Sequence, residues 1–405
     1  MISTYPHWSE QSLRQAQPEL RLQFLQNFFK QGFPQRNDEN WRYLSLTPLL
    51  EQVFRSVRHQ TEHNYPVEKY FIPDTYRLVF INGVLNSTYS SLSELAQRIF
   101  LKMEPEFSDR EFAHFSSFYW LNGALTNQGC QLFIPENISL DHPIHLLFFS
   151  ENASGTMFHP RNRVVLSTNS QATIIEEYAG IGAGPYFQNA VNQISLAANA
   201  QLNYYKIQKE SLDSFHIANT LFELAHDSLV RSYHFALGAS ISRDDIIFNL
   251  NETGASCELY GFYFPKANQN IDFHTRVDHF SAHTLSSQYY KGMIDHQGHG
   301  VFNGKMIIHP NTQQVSAHQQ NANLLLSESA AIDSKPELIV LADDVRCSHG
   351  ASIGNLDQNA IFYLKTRGIP ETMARTMLMQ GFINDLLDKV PQSLLADHIH
   401  HAIAD

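Results

Sequence analysis

The spacing of apolar and polar residues changes twice along this chain. In the first 120 or so residues the pattern is mostly that of helices separated by irregular stretches. Residues 9–32 are predicted to form a helix, with a serine cap at the start and a glycine at the end. Residues 91–94 and 108–111 fit capping boxes at the starts of two more helices. Residues 77–83 are the exception, because an apolar run that ends in Asn-Gly predicts a strand followed by a turn.

From about residue 132 to residue 353 the pattern is typical of strands. Runs of β-branched and aromatic residues recur there, broken by Asn, Gly, Ser, Asp and His. Similar strand starts follow one another at Ala172, Ala200, Ser228 and Ala255, spaced 27 or 28 residues apart. A repeat of this length favours a solenoid of stacked coils. A β-sandwich also produces many short strands, so the spacing alone leaves both architectures open.

The pattern becomes helical again after residue 353. Asp357 is predicted to cap a helix that runs to Arg367 and ends at Gly368. Pro370 begins a second helix and Pro391 stops it, which together predict a helical hairpin. The chain thus divides into a mainly helical region 1–131, a strand-rich core 132–353 and a C-terminal helical region 354–405.

Composition and charge narrow the class of protein. The chain has 405 residues, 43% of them hydrophobic, and a formal net charge of −12 at pH 7. It is long enough for a large core, and its acidic balance argues against a nucleic-acid partner, which would need clustered Lys and Arg. The first residues do not resemble a secretory signal, and no apolar run approaches the roughly 20 residues that span a bilayer. We therefore expect a cytoplasmic protein with no membrane contact.

The cysteine content limits what the chain can hold by itself. Only Cys130, Cys257 and Cys347 are present, a sparse set that suits a reducing compartment and argues against a disulfide framework. No Cys-x-x-Cys pair occurs, so neither a self-contained zinc site nor a four-cysteine cluster site is expected. Any metal cluster bound here would need ligands from elsewhere.

Residues 342–354, ADDVRCSHGASIG, carry the strongest candidate chemistry. If this segment is a strand, Cys347 and His349 point to the same face, because side chains alternate along a strand. A thiol and an imidazole on one face can share a soft or borderline metal ion such as iron. A cysteine in a strand is also commonly a buried small hydrophobic side chain, so a purely structural role stays open.

This segment and the sequence FYLKTRGI at residues 362–369 resemble the C-terminal signature of the SufB/SufD family, the non-ATPase subunits of the SUF iron–sulfur cluster assembly machinery. Other motifs of the family follow in order along the chain: GFP and ENWRY within residues 32–43, VFING at 79–83, HPRN at 159–162 and NLLLS at 323–327. SufB carries a cysteine, proposed to accept sulfur, on the strand before the signature. Residues 318–327 contain no cysteine here, so the chain resembles the SufD side of the family.

The resemblance implies a fold, a site and partners. The fold is a right-handed parallel β-helix between helical regions. The site is a nascent iron–sulfur cluster site at a partner interface, to which His349 and Cys347 contribute. The partners are a SufB-like homologue in a heterodimer, with a homodimer possible when the chain is alone, and a SufC-like ATPase that docks on the hairpin. The cluster would be transient and shared with the homologue, and ATP would enter only through the ATPase.

The spacing of apolar residues separates the predicted hairpin into an exposed surface and a buried stripe. Exposed positions around Lys365, Arg367 and Gln380 are predicted to contact the ATPase. Met373, Met377 and Phe382, on the apolar stripe of the second helix, are expected to hold the hairpin together.

Two other functions remain as alternatives. Paired acids at 244–245 and 343–344 in a β-helix could serve a carbohydrate-cleaving enzyme. The chain could also be a structural adaptor with no ligand role. Residues 298–306 superficially resemble a phosphate-binding loop but lack its first glycine and its Ser or Thr, so they are expected to form turns between coils and the chain itself is not expected to be an enzyme. The many histidines of residues 274–318 are expected to be local turn or core residues.

Overall fold

The structure is a computed structural model that describes residues 5–9, 13, 19–56, 65–104, 116–126, 128–391, 397–399 and 403. The second predicted capping box, 108–111, and most of the first half of the predicted helix 9–32 lie outside these residues. The strands are β1 (Arg55–Ser56), β2 (Tyr76–Ile81), β3 (Val84–Leu85), β4 (Phe100–Lys102), β5 (Gln131–Ile134), β6 (Ile144–Glu151), β7 (Thr156–Phe158), β8 (Arg161–Leu166), β9 (Gln171–Ile181), β10 (Phe187–Leu196), β11 (Gln201–Lys209), β12 (Phe215–Leu224), β13 (Leu229–Ala236), β14 (Ile241–Leu250), β15 (Ser256–Tyr263), β16 (Asn270–His279), β17 (Leu285–Ile294), β18 (His299–Ile308), β19 (Val315–Leu325), β20 (Ala331–Val340) and β21 (Val345–Asn355). The α-helices are α1 (Glu19–Gln31), α2 (Thr47–Leu50), α3 (Leu92–Leu95), α4 (Ser117–Leu125), α5 (Gln358–Thr366) and α6 (Glu371–Leu387).

The strands form two sheets that face each other across a common interior. Sheet A runs in the order β20-β18-β16-β14-β12-β10-β8-β5-β4, and sheet B in the order β21-β19-β17-β15-β13-β11-β9-β6-β2-β3. Neighbours pair in parallel, apart from the antiparallel pairs β2–β3 and β4–β5 near the N-terminal end. Because successive strands alternate between the sheets, the chain winds through about eight coils. The core is therefore a parallel β-helix flanked by helices, and the β-sandwich alternative is wrong.

The strand register gives the length of each coil and confirms the internal repeat in part. Gln201 pairs with both Gln171 and Leu229, and Leu229 pairs with Ser256, so these coils are 30, 28 and 27 residues long. Ala200, Ser228 and Ala255 each lie directly before a strand of sheet B, as the repeat predicted. Ala172 does not belong to that set, because it lies inside β9, and the equivalent residue of its coil is Ser170. The variable coil length explains why the repeat is faint in the sequence.

One corner of the coil repeats a left-handed residue. The residues with positive φ one or two positions before the strands of sheet B are Asn169 (φ 58°), Asn199 (φ 57°), Asp227 (φ 53°), Gly254 (φ 78°), His283 (φ 58°), Gln314 (φ 56°) and Asp344 (φ 55°). Asn and Asp tolerate this conformation better than most residues because their short side chains bond locally. The asparagines also stack: Asn169 Nδ2 donates to Asn137 Oδ1 at 2.9 Å, and Asn199 Nδ2 donates to Asn169 Oδ1 at 3.1 Å.

The N-terminal region packs on the outer face of sheet A. Helices α1 and α4 bury aromatic side chains such as Phe28 and Phe118 against Phe187 and Phe215 of the sheet. Helix α1 ends at Gly32, whose φ of 73° fits the predicted glycine cap. Residues 77–83 form β2 and a turn, as predicted.

The C-terminal hairpin packs on the outer face of sheet B. Asp357 caps α5 by accepting a hydrogen bond from the backbone N–H of Asn359 at 2.8 Å, and Gly368 follows the helix with φ 83°. Pro370 precedes α6, so the predicted hairpin is confirmed. Its buried face, which includes Ile361 and Ile383, lies on a column of stacked tyrosines formed by Tyr205, Tyr233 and Tyr260, with ring centroids 4.7 and 5.0 Å apart.

Residues 298–306 were expected to be turns, and this expectation is wrong. They form most of strand β18. Gly304 faces the interior, where a Cβ atom would come within 1.9 Å of Gln319 Nε2. The glycine is explained by close packing inside the helix, and the segment has no resemblance to a phosphate loop in three dimensions.

Candidate functional site

The candidate site lies on the last coil of the β-helix. Strand β21, which carries Cys347 and His349, is the end strand of sheet B, and β20 is the end strand of sheet A. Each therefore has a strand neighbour on one side only among the described residues. Most residues of β21 are exposed, and the coil ends with the exposed apolar side chains Leu341 and Ile353. The β-helix is consequently open at this end.

Cys347 and His349 both face the interior of the coil. They are in register with Ala317 and Gln319 of β19, and both of those side chains are buried inside the helix. Cys347 is half-buried and packs against the interior apolar cluster, whereas His349 is exposed because no further coil covers it. Burial raises the pKa of the Cys347 thiol. The two side chains thus share one face, as strand alternation predicted.

The backbone of β21 is also available on its outer edge. Ser316 N donates to Thr284 O, so the even-numbered residues of β19 bond to β17 and the odd-numbered residues bond to β21. In a parallel ladder the bonding residues alternate, so the even-numbered residues of β21 face β19. The N–H and C=O groups of Cys347, His349 and Ala351 therefore point to the open edge. An edge of this kind can pair with another strand.

The interior below the site is polar. Gln319 Nε2 donates to Gln288 Oε1 at 2.7 Å, and Gln319 Oε1 is buried without a hydrogen-bond partner among the described residues. Since neighbouring strands lie about 4.8 Å apart, this free acceptor lies one strand below His349. Asn321 and Ser334 continue the polar lining, with Ser334 Oγ donating to Asn321 Oδ1 at 2.7 Å.

Deeper in the interior, charged groups are buried as a cluster. Lys206 Nζ donates to Asp244 Oδ1 at 2.9 Å, and His234 Nδ1 lies 3.3 Å from Asp244 Oδ2. Burial opposes ionisation of Asp244, but the charge of Lys206 and the bond to His234 outweigh it and lower the pKa of the carboxyl well below its ordinary value. The sequence analysis missed this lining. The only signal for it was the presence of Lys206, Asp244 and Gln319 at inward-facing positions of strands.

The histidines of residues 274–318 do not form a metal site. Four of them make separate local contacts: His274 Nε2 lies 3.0 Å from Asp272, His299 Nε2 lies 2.8 Å from Asp333, His309 Nε2 lies 2.8 Å from Asp278 and His318 Nδ1 lies 2.8 Å from Ser348 Oγ. His283 occupies a left-handed corner. Among the described residues no group of three or more His, Cys, Asp and Glu side chains is placed to hold a metal ion. Cys347 and His349 alone fall short of the four ligands that a cluster usually takes.

The exposed face of the hairpin lies away from sheet B. Lys365, Arg367 and Gln380 are exposed; Lys365 Nζ pairs with Glu371 at 2.7 Å, and the Arg367 guanidinium lies 5.2 Å from the Tyr363 ring centroid. Four large apolar side chains are exposed on the same hairpin: Phe362 by 68%, Tyr363 by 56%, Met373 by 57% and Met377 by 41%. Met373 and Met377 therefore do not hold the hairpin together as expected. Phe382, the third residue of that prediction, is partly buried and packs toward sheet B, as does Leu378.

The paired acids do not make a carbohydrate-cleaving site. Asp244 faces the interior and pairs with Lys206, whereas Asp245 faces outward and pairs with Arg243 at 2.7 Å. The two carboxylates thus point to opposite faces of β14, so they cannot flank one glycosidic bond. Asp344 is a left-handed corner residue.

A parallel β-helix with an open end and a helical hairpin with exposed apolar side chains offers broad surfaces for other chains, as is typical of a scaffold-type protein. Among the described residues no helix is long and apolar enough to cross a membrane.

Comparison with known proteins gives the family. Residues 148–382 match the SUF system FeS cluster assembly SufBD core domain, and residues 9–146 match the SufBD protein N-terminal region. An iron–sulfur cluster assembly SufBD family protein of Synechocystis is 30% identical over 92% of this chain and 87% of its own length. The iron–sulfur cluster assembly protein SufD of Escherichia coli is 28% identical over 90% and 87%, and a chloroplastic protein of Arabidopsis thaliana is 26% identical over 92% and 82%. The chain belongs to the SufB/SufD family of SUF iron–sulfur cluster assembly proteins.

Proposed function

We propose that this chain is a SufD-like, non-catalytic scaffold subunit that pairs with a SufB-like homologue and docks a SufC-like ATPase. The observation that carries the proposal is the open last coil, where Cys347, His349 and an unpaired strand edge occur together. An iron–sulfur cluster is then assembled transiently between the two subunits, and ATP acts only through the ATPase. The working division is a helical region 1–131, a β-helix core 132–353 and a docking region 354–405, and the proposed location is the cytoplasm.

The open end supports a heterodimer. The free edges of β20 and β21, together with Leu341 and Ile353, leave backbone donors and apolar side chains that another β-helix end can cover. A second copy of the chain can cover the same end, so a homodimer forms when the homologue is absent. The test is purification of the tagged chain from its native cells. Recovery without any homologous subunit or ATPase would refute the proposal and leave a structural adaptor of other partners.

His349 contributes to cluster assembly, with Cys347 as the second protein ligand. Imidazole and thiolate are both suitable for iron, and the remaining ligands come from the partner across the interface. Because His349 is exposed, His349→Ala should change the free energy of unfolding of the isolated chain by less than about 0.5 kcal/mol. The same variant should lower the iron–sulfur content of the assembled complex without dissociating it.

Arg346→Ala is the matched control, because Arg346 is an exposed neighbour whose side chain points to the opposite face of β21. It should leave cluster content unchanged. A His349→Ala complex with normal cluster content would end the proposal for this residue. A strongly destabilised isolated chain would instead assign His349 a structural role.

The hairpin docks the ATPase. Lys365, Arg367 and Gln380 supply polar contacts, and the exposed Phe362 and Met373 supply apolar area beside them. Two variants separate these contributions: Lys365→Ala/Arg367→Ala/Gln380→Ala and Phe362→Ser/Met373→Ser. Either should weaken ATPase co-purification while the chain stays folded, whereas Lys305→Ala on the far sheet should not. Unchanged ATPase recovery with both hairpin variants would contradict the proposal.

A further inference from the structure

Helix α6 is attached to sheet B by a buried lysine. The Lys291 side chain on β17 is only 7% exposed, and its ammonium contacts the backbone carbonyl of Phe382 and the carboxylate of Asp385, both on α6. The ammonium also lies 4.5 Å from the Phe382 ring centroid. Tyr289, two residues before Lys291 on the same face, donates to Asp385 Oδ2 at 2.7 Å.

The Lys291 ammonium and the Asp385 carboxylate stabilise each other's charge. Burial works against ionisation of Asp385, but hydrogen bonds from Lys291 and Tyr289 outweigh it and lower the pKa of the carboxyl. The attachment is polar and directional, because hydrogen bonds to charged groups require a defined geometry. A displacement of α6 therefore has to move β17 with it or break these bonds.

The residues of this attachment are in cross-strand register with residues beside the candidate site. Tyr289 is in register with Gln320, which is in register with Gly350, the neighbour of His349. Lys291 is in register with Ala322 and then with Ser352. At about 4.8 Å between neighbouring strands, two strand spacings separate β17 from β21, so the attachment is roughly 10 Å from the site strand.

We propose that Lys291, with Asp385 and Tyr289, is a positioning residue that transmits displacement of the ATPase-docking hairpin to the strand carrying Cys347 and His349. This inference rests on the proposed function, because it requires an ATPase on the hairpin. Other contacts between the C-terminal region and sheet B include Tyr233 Oη with Lys389 O at 3.0 Å, and Arg375 Nη2 of α6 with Leu326 O, directly after β19, at 3.0 Å. The Lys291 contact differs from these because it joins a buried ammonium to a carboxylate. Lys291 joins the helix to the sheet through a buried charge within two strands of the site.

The test measures transmission separately from binding and from cluster yield. In the complex of this chain with its homologue and the ATPase, alkylation of Cys347 by N-ethylmaleimide is followed by mass spectrometry with and without ATP. Wild type should show a change in the alkylation rate of about fivefold or more, the lower end of coupling between linked sites. Lys291→Met keeps the aliphatic stem but removes the ammonium, and it should reduce the change to below about twofold while ATPase recovery stays normal.

Lys305→Met is the matched control, since Lys305 forms an ion pair with Glu337 at 2.9 Å on sheet A and does not contact the hairpin. It should respond to ATP like wild type. If Lys291→Met does not fold, Asp385→Asn removes the acceptor charge at a 56% exposed side chain and should give the same loss of response.

Several results would overturn the inference. These are a wild-type complex with no ATP response at Cys347, a normal response in Lys291→Met or Asp385→Asn, or loss of the ATPase itself from either variant. Failure of the proposed function is distinguishable, because then the wild-type chain recovers no ATPase and no homologue at all.

Discussion

Replacing Lys206 by methionine tests the buried charge cluster inside the β-helix. Lys206 Nζ and Asp244 Oδ1 are 2.9 Å apart, and the two side chains are 3% and 8% exposed. At an effective dielectric constant of about 20, this distance corresponds to an attraction of about 6 kcal/mol. Part of this lost attraction is offset, because the variant no longer has to remove a lysine ammonium from water when it folds. Removing one partner of a buried ion pair lowers the free energy of unfolding by about 3–5 kcal/mol. We expect Lys206→Met to lower the free energy of unfolding by that amount at pH 7.

The pH dependence gives a second test of the same variant. In the wild-type chain the pKa of Asp244 is lowered, so its contribution to stability is present above the unfolded pKa near 4 and is lost as the pH falls through the folded pKa. Without Lys206 the buried carboxyl becomes easier to protonate. The free energy of unfolding of the variant should therefore be lowered most at neutral pH, where Asp244 is charged without its partner. Its difference from wild type should shrink as the pH falls toward 4.

Urea unfolding followed by circular dichroism at pH 7 and at pH 4.5 measures both effects. Lys305→Met is the control, because its ion pair with Glu337 has the same 2.9 Å length but side chains that are 34% and 22% exposed. Such pairs contribute at most about 1 kcal/mol. Equal effects of the two substitutions at pH 7 would refute the reasoning, because burial would then have no influence. The double variant Lys206→Met/Asp244→Leu should recover much of the lost stability.

Three further predictions concern the rest of the β-helix. Burial lowers the pKa of His159 to about 3 and that of His279 to about 4, so both stay neutral when folded while the unfolded chain protonates near 6.5. The free energy of unfolding should therefore fall between pH 6.5 and 4, and His279→Gln should make the fall shallower by up to about 1.4 kcal/mol per pH unit; an unchanged slope would contradict this. Iodoacetamide at pH 8 should alkylate Cys347 in the native chain, whereas Cys130 and Cys257, whose pKa values burial raises, should react only after unfolding; early labelling of either by mass spectrometry would disprove their burial. Asn169→Ala should lower the free energy of unfolding by about 1–2 kcal/mol, because alanine is disfavoured in the left-handed conformation and the two hydrogen bonds to Asn137 and Asn199 are lost. Asn169→Gly should lower it by less, because glycine adopts this conformation freely. Equal decreases in melting temperature would show that backbone strain plays no part.

The sequence was informative where local signals determine structure. Asp357, Gly368 and Pro370 act on their own neighbours, so the C-terminal hairpin followed from capping alone. The common face of Cys347 and His349 required only that residues 345–355 form a strand. Alternation of side chains is the same in parallel and antiparallel sheets, however, so it could not separate a β-helix from a sandwich without the family resemblance.

The missed features depend on long-range packing. Lys206 and Asp244 are 38 residues apart and meet only because their coils stack, so neither looks like an interior residue in its own strand. Gly304 suggested a turn because its real cause, the nearby Gln319 side chain, belongs to another strand. Met373 was assigned to the hairpin interior by its helical period, but sheet B covers a different stripe of α6.

The open end of the β-helix has a thermodynamic consequence. In a solenoid each coil is stabilised mainly by its immediate neighbours, and within the part of the chain that the structure describes the coil of β20 and β21 has a neighbouring coil on one side only. Its amide protons should therefore exchange with solvent sooner than those of the middle coils, through local opening that does not unfold the molecule. Any chain that caps this end stabilises the coil by mass action, to an extent that depends on its concentration relative to its dissociation constant. If the proposed partner covers this end, the order of the strand that carries Cys347 and His349 depends on how much partner is present, and it is greatest in the complete assembly.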